Sequence, residues 1–83
     1  MTEHRRYFNV SQVVDKLGID KSRLHYWEHH FKIPVLQKRT VRYYTSENIE
    51  ALLIVKHLLK EEMYTMKGAK RQIKIRGLKY FDL

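Results

Sequence analysis

The stretch around Gly18 constrains the fold of this chain more than any other part of the sequence. The apolar residues before this glycine recur at the spacing of one buried helical face, at Val10, Val13, Val14 and Leu17. This spacing predicts a short first helix over about residues 11–17, with Asn9 or Ser11 close to its N-cap. Gly18 ends the helix, because glycine readily adopts the left-handed conformation that closes a helix.

A second helix follows after a turn of about three residues. Asp20 is a favourable N-cap, and the helix is predicted to cover about residues 21–29. Its apolar residues again lie on one face, at Leu24, Trp27 and Phe31. Two short helices joined by a tight turn that contains glycine form a helix-turn-helix.

The segment after the second helix favours a small hairpin. Pro34 interrupts helical structure, and β-forming residues lie on both sides of a polar turn at Lys38, Arg39 and Thr40. We expect strands near residues 36–39 and 41–44. A hairpin in this position would be the wing of a winged helix-turn-helix.

Two further helices complete the predicted fold. The third begins at Thr45 or Ser46, either of which can cap it, and ends near residue 61 or 62. Its inward residues are predicted to be Ile49, Leu52, Val55, Leu58 and Leu59. Leu53 and Ile54 make the helix apolar over more than one stripe, which indicates extensive burial or a second packing partner. The fourth helix begins at Thr65 and ends at Gly77.

The fold class predicted from these elements is mostly α, a winged helix-turn-helix with about four helices and a short two-stranded wing. We expect one DNA-binding domain over residues 1–83. Its parts are the helix-turn-helix at 8–31, the wing at 35–44, two further helices at 46–76 and a tail at 77–83.

Charge and size narrow the function. The 83 residues include 17 Lys and Arg against 9 Asp and Glu, a formal net charge of +8, which favours a polyanionic partner. Cysteine is absent, so neither disulfides nor thiolate metal sites are expected. No apolar run approaches the roughly 18 residues of a membrane span, and the polar N-terminus is unlike a secretory signal. A cytoplasmic location without membrane association is therefore expected.

Residues 25–29 read H-Y-W-E-H, which matches a zinc hydrolase signature, H-x-x-E-H. His25 and His29 lie one helical turn apart, as two metal ligands would. A third ligand is not apparent, and so small a domain has no room for a substrate cleft between lobes. We therefore expect no enzyme activity, no metal site and no cofactor. Glu28 is either a structural carboxylate paired with a wing arginine, Arg42, or a solvated surface acid.

Three segments together resemble one family. They are R-L-H-Y-W-E, R-Y-Y-T-S-E-N-I and H-L-L-K-E-E-M-Y-T-M-K-G-A, in that order. The chain resembles the N-terminal DNA-binding domain of MerR-type transcription regulators over about residues 8–73. The resemblance implies a winged helix-turn-helix that binds double-stranded promoter DNA as a dimer.

The resemblance also implies which residues contact DNA. Lys21 and Arg23 would face the major groove, with Ser22 and Arg23 the expected base readers. His25 and Tyr26 would meet the backbone. The wing would contribute Arg39, Arg42 and Tyr44, the last as the aromatic residue near the end of the wing.

The sequence departs from the family pattern at several positions. His25 replaces the usual arginine, so a permanent charge becomes a titratable one. The wing tip K-R-T-V-R lacks the common glycine or asparagine. Met63 stands where glycine often follows the third helix, at a cost of about 1 kcal/mol if its φ is positive.

No sustained heptad follows residue 74, where family members continue into a dimerisation helix and an effector domain. The chain is either an excised domain or a small stand-alone relative. We accordingly expect a homodimer only in a longer parent chain and no small-molecule effector domain here.

Two alternative functions keep the predicted fold. Phage excisionases are small, basic winged helix-turn-helix proteins that bend DNA as arrays, and direct repeats in the target would favour that function. A protein-interaction module is the other, with Leu53 and Ile54 of the third helix docking a partner helix.

Overall fold

The computed structural model describes residues 6–83. Four helices and one two-stranded antiparallel sheet follow in chain order: α1 Val10–Leu17, α2 Lys21–His30, β1 Leu36–Lys38, β2 Val41–Tyr43, α3 Ser46–Lys60 and α4 Met66–Arg76. The chain is mostly helical, with a short wing between α2 and α3. The predicted fold class is confirmed.

The ends of α1 and α2 form through local hydrogen bonds. Asn9 and Gln12 make a reciprocal capping box at the start of α1. Gly18 closes α1 with a φ of 66°, and its N–H donates to the Val14 carbonyl. The Asp20 carboxylate then accepts the Arg23 backbone N–H at 2.7 Å, which starts α2. The predicted N-cap at Asp20 and C-cap at Gly18 are confirmed.

The wing is a hairpin with a two-residue turn. Leu36 pairs with Tyr43 and Lys38 with Val41, so each strand is one residue shorter than predicted. Arg39 in the turn has a φ of 58°, and its carbonyl accepts a hydrogen bond from the Gln37 side-chain amide at 3.0 Å. The tip of the wing contains no glycine, and Arg39 adopts the left-handed conformation that glycine would favour.

The core lies between α3 and the other helices. Its buried members come from every helix and from both flanks of the wing: Val13, Leu17, Leu24, Trp27, Phe31, Ile33, Tyr44, Ile49, Ala51, Leu52, Val55, Leu58, Ala69 and Ile73. Leu53 is 48% exposed, whereas Ile54 is partly buried against this core. The outward placement of both residues, on which the protein-interaction alternative depends, therefore holds for Leu53 only.

Polar contacts tie the helix-turn-helix to α3. The Lys56 ammonium of α3 donates to the Leu17 carbonyl at 2.7 Å, at the negative end of α1. Buried Asn48 caps the start of α3 with Thr45 and donates to the Pro34 carbonyl at 3.1 Å. These bonds fix the segment that leads into the wing.

The turn between α3 and α4 has an unfavourable backbone conformation. Met63 adopts a φ of 60° with its side chain 78% exposed. Thr65 then caps α4, and Gly77 ends it with a φ of 59°. No helix within residues 6–83 combines the length and the apolar character needed to cross a membrane.

Candidate nucleic-acid interface

The first turn of α2 presents polar and basic side chains on a rigid support. Lys21, Ser22 and Arg23 are exposed, whereas Leu24 and Trp27 on the opposite face are buried. Because the buried face fixes the helix against the core, the exposed side chains project from a defined surface. Such groups can donate to phosphate oxygens and to the acceptor atoms of bases in the major groove.

Tyr26 extends this surface by one helical turn. Its side chain is 56% exposed, and its ring lies 5.9 Å from that of His30. The phenol can donate a hydrogen bond at the edge of the basic surface. Ser22, Arg23 and Tyr26 thus line one exposed side of α2, and Lys21 is exposed at the start of the helix.

An open groove of about 560 Å³ runs beside this face. Its lining includes Ser22, Arg23 and Tyr26 from α2, Lys60 from the end of α3 and Tyr64 from the following turn. Sequence analysis did not assign Lys60 or Tyr64 to the site. They lie far from α2 along the chain, and only the packing of α3 against the helix-turn-helix brings them close.

Glu28 of α2 forms a buried polar cluster with the end of the wing. Its carboxylate accepts hydrogen bonds from the Arg42 guanidinium and, at 2.6 Å, from the Tyr44 hydroxyl. The Glu28 side chain is 5% exposed, so its pairing with Arg42 is a part-buried ion pair rather than a solvated contact. The predicted pairing of these two residues is confirmed.

Tyr44 is corrected from a DNA contact to a core residue. No part of its surface is accessible, and its hydroxyl is used by Glu28. The pKa of the Tyr44 hydroxyl is raised above its ordinary value, mainly by burial and secondly by the hydrogen bond to Glu28. Tyr44 joins the core where the chain passes from the wing into α3, which the sequence pattern could not show.

The wing residues predicted to contact DNA differ in availability. Arg39 is exposed at the tip of the hairpin. Arg42 is half-buried, and its charge is already balanced by Glu28. His25 is half-buried beside Arg42, and among the described residues its Nε2 atom has no hydrogen-bond partner.

The H-x-x-E-H spacing has a structural explanation in α2. Glu28 occupies the glutamate position, but both of its carboxylate oxygens already accept hydrogen bonds from the wing. Within residues 6–83, no group of three His, Cys, Asp or Glu side chains is placed to hold a metal ion. The two histidines flank the residues that attach α2 to the core and the wing.

Residues 8–74 match the family described as MerR HTH family regulatory protein. The chain belongs to the MerR family. No curated protein and no solved structure gives a significant match to it. Membership in the MerR family makes DNA binding and transcription regulation the functional class of this domain, and the family is regulatory rather than enzymatic.

Two positions where the sequence was expected to depart from the family pattern lie on the wing side of α2. The ring of His25 lies in the crevice between α2 and the wing. Arg39 lies in the two-residue turn at the tip of the wing. The first turn of α2 carries the exposed basic residues Lys21 and Arg23.

Proposed function

We propose that this chain binds specific sites in double-stranded DNA, with α2 in the major groove, and acts in transcription regulation in the cytoplasm. Ser22 and Arg23 read base edges, while Lys21, Tyr26 and Arg39 contact phosphates. The observation that carries this proposal is the exposed basic first turn of α2, supported by buried Leu24 and Trp27, in a MerR-family domain. Enzyme activity and cofactors have no part in this function.

The groove beside α2 supports a longer path for one DNA strand. A backbone that leaves the first turn of α2 would pass Lys60 and Tyr64, whose ammonium and hydroxyl groups can donate to phosphate oxygens. Arg39 would contact the backbone on the wing side. Contacts on both sides of α2 would fix the orientation of this helix in the major groove. A substitution at Arg23 would then change the preference for one DNA sequence over another.

The direct test is selection of binding sites. Fragmented genomic DNA is passed over the immobilised chain at moderate salt, and the retained fragments are sequenced. We expect enrichment of a defined site, with inverted half-sites for a dimeric regulator. Direct repeats would instead indicate an excisionase-like array, and no enrichment would contradict specific recognition by this chain.

Arg23→Ala tests the assignment of the base reader. If Arg23 makes a bidentate contact with a base, its loss costs about 1–3 kcal/mol at the selected site and relaxes the preference at one base pair. Fluorescence anisotropy with the selected duplex and with a duplex changed at each position measures both effects. An equal loss of affinity on every sequence would show that Arg23 contacts only phosphate.

A further inference from the structure

The two strands of the wing bury few side chains, and the wing is attached to the rest of the chain at its base, where Tyr44 is buried and exchanges two backbone hydrogen bonds with Phe8. Every residue of β1 is exposed, and β2 has none that is fully buried. Among the described elements, the two strands contact each other extensively but neither packs extensively against a helix. Apolar burial within the hairpin therefore contributes little to holding the wing in place.

Glu28 supplies a direct polar link between α2 and the wing. It lies on the same helix as the proposed base readers. Its carboxylate accepts hydrogen bonds from Arg42 in β2 and from Tyr44, which follows β2. Removing one partner of a buried ion pair is strongly destabilising, because the other charge is left unpaired. The link joins two elements that would touch DNA at different places.

Arg39 lies three residues before Arg42, at the far end of the same hairpin. Rotation of the hairpin about its base would move the tip furthest, so the bonds of Glu28 to Arg42 in the middle of β2 and to Tyr44 at its base limit where the tip reaches. A phosphate contact requires the guanidinium to lie within hydrogen-bond distance of an oxygen atom. The placement of Arg42 by Glu28 would therefore decide whether Arg39 meets the backbone while α2 occupies the groove.

We propose that Glu28 is a positioning residue for DNA recognition, which holds the wing in the orientation that lets Arg39 contact a phosphate while α2 reads the major groove. This inference rests on the proposed function. Glu28 itself does not touch DNA. It acts through Arg42 and Tyr44, and its effect is measured as a change in the contribution of Arg39 to DNA affinity.

The experiment measures the contribution of Arg39 with and without Glu28. The dissociation constant for the selected duplex is measured against salt concentration for the unmodified chain, Arg39→Gln, Glu28→Ala and the double variant. In the unmodified chain, loss of Arg39 lowers the salt slope by about 0.9, the value for one phosphate. In the Glu28→Ala chain we expect the same change to be less than half as large, and Glu28→Ala alone to weaken binding about tenfold.

A purely structural role for Glu28 gives a different result. It lowers the stability of the fold but leaves the Arg39 contribution at full size, so thermal unfolding is followed by circular dichroism for every variant. Glu28→Gln keeps the length of the side chain and can still accept a hydrogen bond from Arg42. We expect the contribution of Arg39 in Glu28→Gln to be larger than in Glu28→Ala and smaller than in the unmodified chain. If Glu28→Ala is unfolded at the assay temperature, Glu28→Gln is compared with the unmodified chain instead.

Each outcome decides the inference. An undiminished Arg39 contribution in the folded Glu28 variants overturns it. So does tighter binding with a larger salt slope, which would mean that Glu28 withholds Arg42 from phosphate. If the unmodified chain does not bind duplex DNA, the proposed function fails and this inference fails with it, whereas the first two outcomes leave the proposed function intact.

Discussion

Tyr44 connects the chemistry of single residues to the stability of the fold. Its ring is completely buried where the wing meets the helices, and its hydroxyl donates to the Glu28 carboxylate. A tyrosinate in this position would lose its hydration and would lie against a second negative charge. The folded protein therefore holds the Tyr44 proton more tightly than the unfolded chain does.

The raised pKa of Tyr44 predicts a loss of stability in alkali. In the unfolded chain the hydroxyl titrates near its ordinary value of 10.0, whereas burial keeps it protonated in the folded state. The stabilising effect is thus complete below that pH and is lost as pH rises above it, at up to about 1.4 kcal/mol per pH unit. Urea unfolding of the unmodified chain and Tyr44→Phe across this range measures the difference. Parallel pH dependence of the two proteins would contradict the prediction.

At the scale of elements, the turns that end α3 and α4 use the same conformation with different residues. Met63 follows α3 at a φ of 60°, and Gly77 follows α4 at a φ of 59°. For residues other than glycine this left-handed conformation costs about 1–2 kcal/mol. The exposed Met63 side chain makes little packing contact to offset that cost.

Met63→Gly should therefore stabilise the fold. The relief of backbone strain exceeds the greater conformational freedom of glycine in the unfolded chain, so we expect a gain of up to about 1 kcal/mol in the free energy of unfolding. Gly77→Ala is the matched control. An added Cβ would meet no atom within 4 Å there, so its expected loss of about 1 kcal/mol reports the backbone alone. Urea unfolding measures both, and a destabilised Met63→Gly variant would contradict the argument.

The sequence predicted these helices well because their ends depend on local chemistry. Asp20 and Thr65 accept backbone N–H groups three residues later, and Gly18 and Gly77 adopt left-handed conformations. Each signal lies within a few residues of the end that it marks. The wing was predicted too long, because β-forming residues continue beyond the last paired position into Tyr44, which instead bridges to Phe8.

The interface was less predictable than the helices. The basic first turn of α2 is readable as a run of neighbouring residues. The addition of Lys60 to the groove, the half-burial of His25 and the burial of Tyr44 all depend on how distant segments pack. Pairing of Glu28 with Arg42 was anticipated, but its depth and its use of Tyr44 follow from the tertiary structure.

At the scale of the whole molecule, the count of 17 Lys and Arg overstates the number of basic side chains available to a polyanion. Arg42 is balanced by Glu28, and Arg76 is paired with Glu62 at 2.8 Å. Lys56 is used at the end of α1, where it donates to a backbone carbonyl. The position of each charge, rather than the total, should therefore decide how binding responds to salt.

Two substitutions that remove the same unit of charge separate position from total. Lys21→Gln removes an exposed ammonium from the start of α2, and we expect the slope of log affinity against log salt to fall by about 0.9. Arg76→Gln is the control, because the Arg76 guanidinium is already paired with Glu62. The hydrogen bond from Arg76 lowers the pKa of Glu62, so this carboxylate is ionised in the pair. We expect the slope to be unchanged in this variant.

Anisotropy titrations of one duplex at several salt concentrations measure both slopes. Equal decreases would mean that the chain binds DNA through its overall charge, and a decrease confined to Arg76→Gln would place the phosphate contacts on α4 instead of α2.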